Sequence, residues 1–297
     1  MNILITGVNG MLGSVLAARL SGNYQVNGLD IHPTLKKDLN IQYYQADITD
    51  IKKLNSLTQK IEPLMIINCA SLTNVDACEA EPEKARAINV GGVENLIELC
   101  QSSNAHLIQI STDYVFDGTS GPYSENDETN PINHYGKTKL EAELALVESG
   151  INWTILRTNV LFSEDLSEKA SFVSWVYNNL KNNEKINVVN DQFGNPTFVN
   201  HLAYAIEKII ERDAHGIYHY SGRDYLNRFE FALQIADAFE LDNRLINKTT
   251  TRSLKQMAPR PYKAGLKSDK IEAELEIKTY NLKESLLVIK RAGEADE

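Results

Sequence analysis

Thr6-Gly7-Val8-Asn9-Gly10-Met11-Leu12-Gly13 is the stretch on which the fold turns. The apolar run Ile3-Leu4-Ile5 precedes it and a helical pattern over Met11 to Leu20 follows, so three glycines stand between a strand and a helix. Gly7 permits a tight turn, Gly10 lets backbone N–H groups approach an anion, and Gly13 lets the helix pack closely. Because a helix N-terminus stabilises negative charge, the turn reads as a seat for the pyrophosphate of a dinucleotide, with Met11 and Leu12 in the first helical turn.

Outward from this turn, short apolar runs alternate with helical patterns. Strand-like runs lie at Ile3 to Thr6, Gln25 to Leu29, Gln42 to Gln45, Leu64 to Asn68, His106 to Ile110 and Trp153 to Leu156. Helical stretches separate them, at Met11 to Leu20, Ile51 to Lys60, Pro82 to Gln101 and His134 to Ser149. Strands apolar on both faces and joined by helices imply a parallel sheet with right-handed crossovers. The fold class is therefore α/β, a doubly wound parallel Rossmann sheet with a smaller C-terminal α/β substrate-binding region. Residues 1–158 are assigned to the dinucleotide-binding domain. Residues 159–297 are assigned mainly to the substrate region, with some segments returning to the first domain. A ligand belongs at the carboxyl ends of the strands.

Composition narrows the function. The 297 residues are 42% hydrophobic and 24% charged, with a formal net charge of -10. That acidity argues against a nucleic-acid surface, and no apolar run reaches the about 18 residues of a membrane span. Cys69, Cys78 and Cys100 form no CxxC pair, so they are read as free thiols of a cytoplasmic protein. His106, His215 and His219 show no metal-ligand spacing, and no metal is expected. Glu79, Glu81 and Glu83 read as solvated carboxylates at a helix start, and the acidic end Gly293 to Glu297 as frayed.

Asp30 ends the second strand, where a carboxylate accepts hydrogen bonds from the adenosine ribose hydroxyls and repels a 2′-phosphate. This favours NADH over NADPH, softened by Lys36 and Lys37; the alternative is a turn-forming Asp before His32-Pro33. Asp47 and Ile48 are placed to meet the adenine, or to lead into a helix.

Tyr135 and Lys139 stand four residues apart on one helical face, and Ser111-Thr112-Asp113 follows a strand. Together they supply a carbonyl-reduction site. Thr112 would hydrogen-bond the carbonyl oxygen and Tyr135 would protonate it. Lys139 would hold the nicotinamide ribose and lower the Tyr135 pKa.

These residues resemble the extended short-chain dehydrogenases/reductases, and within them the dTDP-4-dehydrorhamnose reductase family. The likeness is carried by ILITGVNGMLG at 3–13, ADITD at 46–50, INCAS and VDACE within 67–79, and ISTDYVFDG at 110–118. It continues through YGKTKLEAE at 135–143, LRT at 156–158, DQFGNPT at 191–197, GIYHYSG at 216–222 and RP at 260–261. The resemblance implies reduction at C4 of a nucleotide-linked 4-keto-6-deoxy sugar, with Thr112, Tyr135 and Lys139 catalytic. It implies that Cys69, Ala70 and Ser71 line the dinucleotide. It further implies that Thr73, Asp113, Tyr114 and Asn159 meet the sugar, and that Gln192 and Arg260 lie in segments closing over it. Homodimerisation is left open.

One position departs from the family pattern. A Trp is usual two residues after LRT, and here Val160 stands there, so a different keto-sugar, acted on by a reductase or epimerase, is an alternative. A second alternative is non-catalytic, because the sequence also resembles the regulatory β subunit of methionine adenosyltransferase. Retention of Ser111-Thr112-Asp113 and DQFGNPT points to the reductase.

Overall fold

In the computed structural model, which describes residues 1–168 and 170–295, seven parallel strands form the central sheet. Their spatial order is Gly216–His219, Trp153–Thr158, His106–Thr112, Met65–Asn68, Asn2–Thr6, Gln25–Asp30 and Gln42–Gln45. Strand order reverses between Asn2–Thr6 and Met65–Asn68, which opens a crevice at their carboxyl ends. Paired residues such as Ile5 with Ile67 and Ile67 with Ile108 set the register across that point. Both faces of these strands are apolar because both are covered.

On one face Ile3, Ile5, Ile67 and Ile108 pack against Leu16 and Leu20 of helix Met11–Leu20 and against Leu202, Ile206 and Ile209 of helix Val199–Glu211. On the other, Leu4, Ile66, Leu107 and Ile155 meet Leu54, Leu96, Leu99 and Leu146 from three further helices. A third core, with Phe162, Val176, Val188 and Phe231, belongs to the C-terminal region. There the strands Ile186–Val189 and Ile246–Thr249 pair in parallel beside helices Phe172–Lys181 and Arg228–Ala238. Truncating a fully buried leucine such as Leu16 to alanine costs about 2–5 kcal/mol.

Gly7 is at φ +65°, and a Cβ on Gly13 would lie 2.3 Å from the Gly7 carbonyl oxygen. The start of the helix thus lies close against the Gly7-Val8 turn. The helix expected over Pro82 to Gln101 is broken by a π-turn, Ala87–Gly91, before it continues as Gly92–Ser103. Sequence periodicity missed the helices Asp269–Leu275 and Leu282–Ala295, since their apolar residues follow turn-rich segments. The acidic end, read as frayed, is helical to Ala295; its last two residues, Asp296 and Glu297, lie outside the described residues.

Three local expectations change. Glu79 is not merely solvated, for it accepts a hydrogen bond from the His134 backbone N–H at 3.1 Å. Asp47 is not the cap of the second helix; that is Asp50, which accepts from Lys53. The histidines also differ: His106 and His215, far apart in sequence, have ring centroids 4.6 Å apart. Among the described residues no helix is long and apolar enough to cross a membrane, and Cys69, Cys78 and Cys100 are free.

Candidate active site

Two joined cavities, of about 300 and 530 Å³, run along the carboxyl ends of the strands and share Gly7, Asn9, Gly10, Cys69, Ala70 and Ser71. The smaller is lined by Asp30, His32, Asp47 and Ile48, the larger by Met11, Leu12, Gly13, Thr112, Tyr135 and Lys139. No side chain caps helix Met11–Leu20, so its first N–H groups face the groove without a side-chain acceptor. A Cβ on Gly7 would come within 2.7 Å of the Ala70 nitrogen, so the turn lies directly against the Cys69-Ala70 segment that follows strand Met65–Asn68. An extended dinucleotide fits such a groove, with its pyrophosphate on the helix N-terminus.

Asp30 is buried at the second strand's end. Its carboxylate accepts from the Asn9 backbone N–H at 3.0 Å and the His32 backbone N–H at 3.1 Å, and His32 Nδ1 lies 2.6 Å away. Burial raises its pKa, but these hydrogen bonds prevail and hold it below the usual carboxylate range. Asp30 therefore organises the Gly-rich turn as well as facing the groove.

Helix His134–Glu148 brings Tyr135 and Lys139 to the larger cavity. Asn133 caps this helix by accepting from the Gly136 N–H at 2.8 Å, and donates to the Pro259 carbonyl at 2.9 Å. Lys139 is buried and donates to the Ile110 carbonyl at 2.7 Å. Burial brings its ammonium down to about 8, against the upward pull of Glu143. The Tyr135 pKa runs opposite to expectation: burial raises it above the ordinary phenol value, and the group that draws it down most is Thr112, through a hydrogen bond. At neutral pH the phenol carries its proton.

Thr112 ends its strand and caps the turn Asp113–Val115 by accepting from the Tyr114 N–H at 3.2 Å. Asp113 is buried and accepts from Thr112, from Asn159 Nδ2 at 3.1 Å and from the Gly265 N–H at 3.2 Å. Its pKa is raised because desolvation exceeds these hydrogen bonds. Tyr114 meets Tyr135 edge-on, with ring centroids 5.9 Å apart.

The large cavity brings together Thr73, Asp113, Tyr114 and Asn159 from the expected sugar-contacting set. Gln192 and Arg260 are not among its lining residues. Gln192 donates to Thr251 and Gln256, and Arg260 pairs with Asp76 at 3.1 Å. Each is engaged by partners distant in sequence, and Arg260 remains near enough to Tyr114 and Arg228 of the cavity to act on their charges. Val160 does line the cavity, and its φ of +45° is rare for a β-branched residue.

Two residues escaped the sequence reading. Arg228 lines the cavity near Asp113 and Tyr114; burial lowers its pKa below the ordinary guanidinium value, against the upward pull of Tyr114 and Asp113. Its signal was there, since an Arg in the first turn of a helix opposes the helix dipole and calls for an anion nearby. Asn89 sits in the π-turn, takes hydrogen bonds from Ser71 Oγ and the Leu72 N–H at 2.8 Å each, and donates to Thr138 at 3.0 Å. It thereby ties the groove wall to the helix of Tyr135; only an Asn buried within a helix marked it.

A parallel sheet of this strand order, a Gly-rich turn at its crossover and a Thr-Tyr-Lys set on one cleft define an extended short-chain dehydrogenase/reductase. The chain belongs to the RmlD substrate binding domain family, whose model matches residues 1–291. It is 35% identical to the dTDP-4-dehydrorhamnose reductase of Aggregatibacter actinomycetemcomitans, over 98% of this chain and 99% of that protein. It is also 32% identical to methionine adenosyltransferase 2 subunit beta of Rattus norvegicus, over 91% of this chain and 81% of that one. The dTDP-4-dehydrorhamnose reductase of Bacillus anthracis, solved in complex with NADP, superposes with a TM-score of 0.89 at 30% identity, covering 98% of each chain. The chain is thus an oxidoreductase by its relatives, with a nicotinamide dinucleotide as cofactor.

Proposed function

We propose that this protein reduces the C4 keto group of a nucleotide-linked 4-keto-6-deoxy sugar, as a cytoplasmic step in making activated deoxysugar for polysaccharide. The observation that carries this reading is the convergence of Thr112, Tyr135 and Lys139 in the same cavity as the uncapped helix start, on a groove that continues to Asp30. When bound, the reduced dinucleotide supplies hydride. Tyr135, protonated at neutral pH, delivers a proton to the carbonyl oxygen, and Thr112 orients that oxygen by a hydrogen bond. Lys139, fixed on the Ile110 carbonyl, holds the ribose end of the cofactor. Asp113, Tyr114 and Asn159 position the sugar, and Arg228 meets the diphosphate.

NADH is the preferred donor in this reading. The ionised Asp30 carboxylate accepts ribose hydroxyls and opposes a 2′-phosphate, while His32 and Lys36 beside it moderate the discrimination.

The test is oxidation of NADH and of NADPH with dTDP-4-keto-rhamnose generated in place, followed by loss of nicotinamide absorbance. Turnover that vanishes in Tyr135→Phe supports the reading. Tight dinucleotide binding without turnover on any 4-keto sugar would overturn it in favour of a non-catalytic subunit, for which the likeness to methionine adenosyltransferase 2 subunit beta is the ground.

A further inference from the structure

His106 opens the strand His106–Thr112 at the end of the sheet opposite the groove, and it is buried. Asp213 and His215 lie in the turn between helix Val199–Glu211 and strand Gly216–His219. The two strands flank Trp153–Thr158 in the sheet, and Thr154 of that middle strand joins both sides. Its hydroxyl donates to the Ala214 carbonyl at 2.5 Å and lies 2.8 Å from His106 Nε2. A hydroxyl has one proton. With that proton given to Ala214, the oxygen offers His106 only lone pairs, so Nε2 must carry the ring hydrogen. The neutral imidazole is left with a bare lone pair on Nδ1, and this buried nitrogen has no hydrogen-bond partner.

His215 stands beside it, with ring centroids 4.6 Å apart, and His215 Nε2 is 3.4 Å from Asp213 Oδ1. One donor atom from each of the three side chains lies within 4.8 Å of the others. From this geometry we propose that His106, Asp213 and His215 form a binding site for a divalent transition-metal ion, Zn²⁺ above all, distinct from the reductase groove.

Bond lengths of about 2.0–2.2 Å in a tetrahedral site bring ligand atoms to about 3.3 Å from one another. The closing movement falls to Asp213 and His215, whose side chains are 83% and 45% exposed. His106 is the preset ligand. Its second nitrogen is already committed to Thr154, the outer contact that fixes the tautomer and orientation of a metal-binding histidine. The same hydroxyl pins the peptide between Asp213 and His215, so one residue organises both halves of the site. Two imidazoles favour Zn²⁺ over the oxygen-seeking Mg²⁺ and Ca²⁺. Three protein ligands leave a fourth position for water. The site joins the turn before the edge strand to a strand two places further in, so its role is to clamp the sheet rather than to act on substrate. The proposal does not depend on the reaction assigned to the groove.

The test uses the full chain stripped with a chelator, titrated with Co²⁺ and followed by its ligand-field absorption, then challenged with Zn²⁺. One ion per chain is expected, displaced by Zn²⁺ and not by Mg²⁺. Zn²⁺ should raise Tm, and in nitrogen NMR it should shift His106 Nδ1 while Nε2 keeps its proton. His215→Ala and Asp213→Asn, both at exposed positions, should weaken binding at least about tenfold and abolish the Tm shift. Equal Co²⁺ binding by the native chain and His215→Ala would overturn the proposal, as would an unmoved His106 Nδ1 at saturating Zn²⁺.

Discussion

Arg157 and Glu143 form an ion pair in the interior, with Nη2 to Oε2 at 2.6 Å and Nε within 3.2 Å of both carboxylate oxygens, each side chain 3% exposed. The pair fastens helix His134–Glu148, which carries Tyr135 and Lys139, to strand Trp153–Thr158, which leads into Asn159 and Val160. Arg157 also lies over the Phe116 ring, and its Nη1 is 3.3 Å from His219 Nε2, so the charge is enclosed on several sides. Removing one partner strands the other. Glu143→Gln should lower stability by about 3–5 kcal/mol, measured by urea unfolding. A loss below about 1 kcal/mol, the range of an exposed pair, would show that the Arg157 charge finds water.

Tyr135→Phe keeps the ring and its edge contact with Tyr114 and removes the proton donor. Turnover should fall about 10²- to 10⁴-fold, with dinucleotide affinity, read by fluorescence titration, nearly unchanged. Weakened dinucleotide binding in step with turnover would make the tyrosine a packing residue.

Lys139 gives a pH prediction. Its folded pKa, about 8, lies below the ordinary 10.5. Between those values the unfolded chain holds a proton that the folded chain lacks, so this group makes stability rise with pH across that window. Below pH 8 both states are protonated and its contribution is level. In Lys139→Met the rise is absent. Urea unfolding at intervals from neutral pH to pH ~10.5 should therefore show the native chain gaining on the variant. Parallel curves would mean that the ammonium is not desolvated.

Asp30→Ala should narrow the preference for NADH over NADPH, read as a ratio of kcat/KM values. It should also weaken both cofactors somewhat, because Asp30 holds the Asn9 N–H of the Gly-rich turn. An unchanged ratio would remove the ribose contact from the account.

Val160 and Arg228 should divide the substrate between them. Arg228→Met should raise KM for the nucleotide sugar roughly tenfold or more, the loss of one charge-assisted contact, while free dinucleotide affinity stays level. Val160→Trp narrows the cavity on the sugar side and should change the ranking of keto-sugars by kcat/KM. If the ranking is kept, the sugar does not lean on this wall.

Much of this protein was legible along the chain because its decisive features are local. A glycine at φ +65° between a strand and a helix, a Tyr and a Lys one helical turn apart, and a Thr at a strand end are all set by neighbours in sequence. Strands apolar on both faces announced a covered parallel sheet, and helices pack on both of its sides. The tertiary structure decided what depends on contacts across the chain. Arg228 lines the groove with its guanidinium over the Phe172 ring, while Gln192 and Arg260 are engaged by Thr251, Gln256 and Asp76, partners distant in sequence. The Tyr135 pKa rises because folding removes water from around it, an effect that no spacing encodes. Likewise His106 meets Asp213 and His215 only because parallel pairing aligns the starts of strands widely separated in sequence. Periodicity reports which side of an element is buried; only the assembled sheet determines which buried groups face each other.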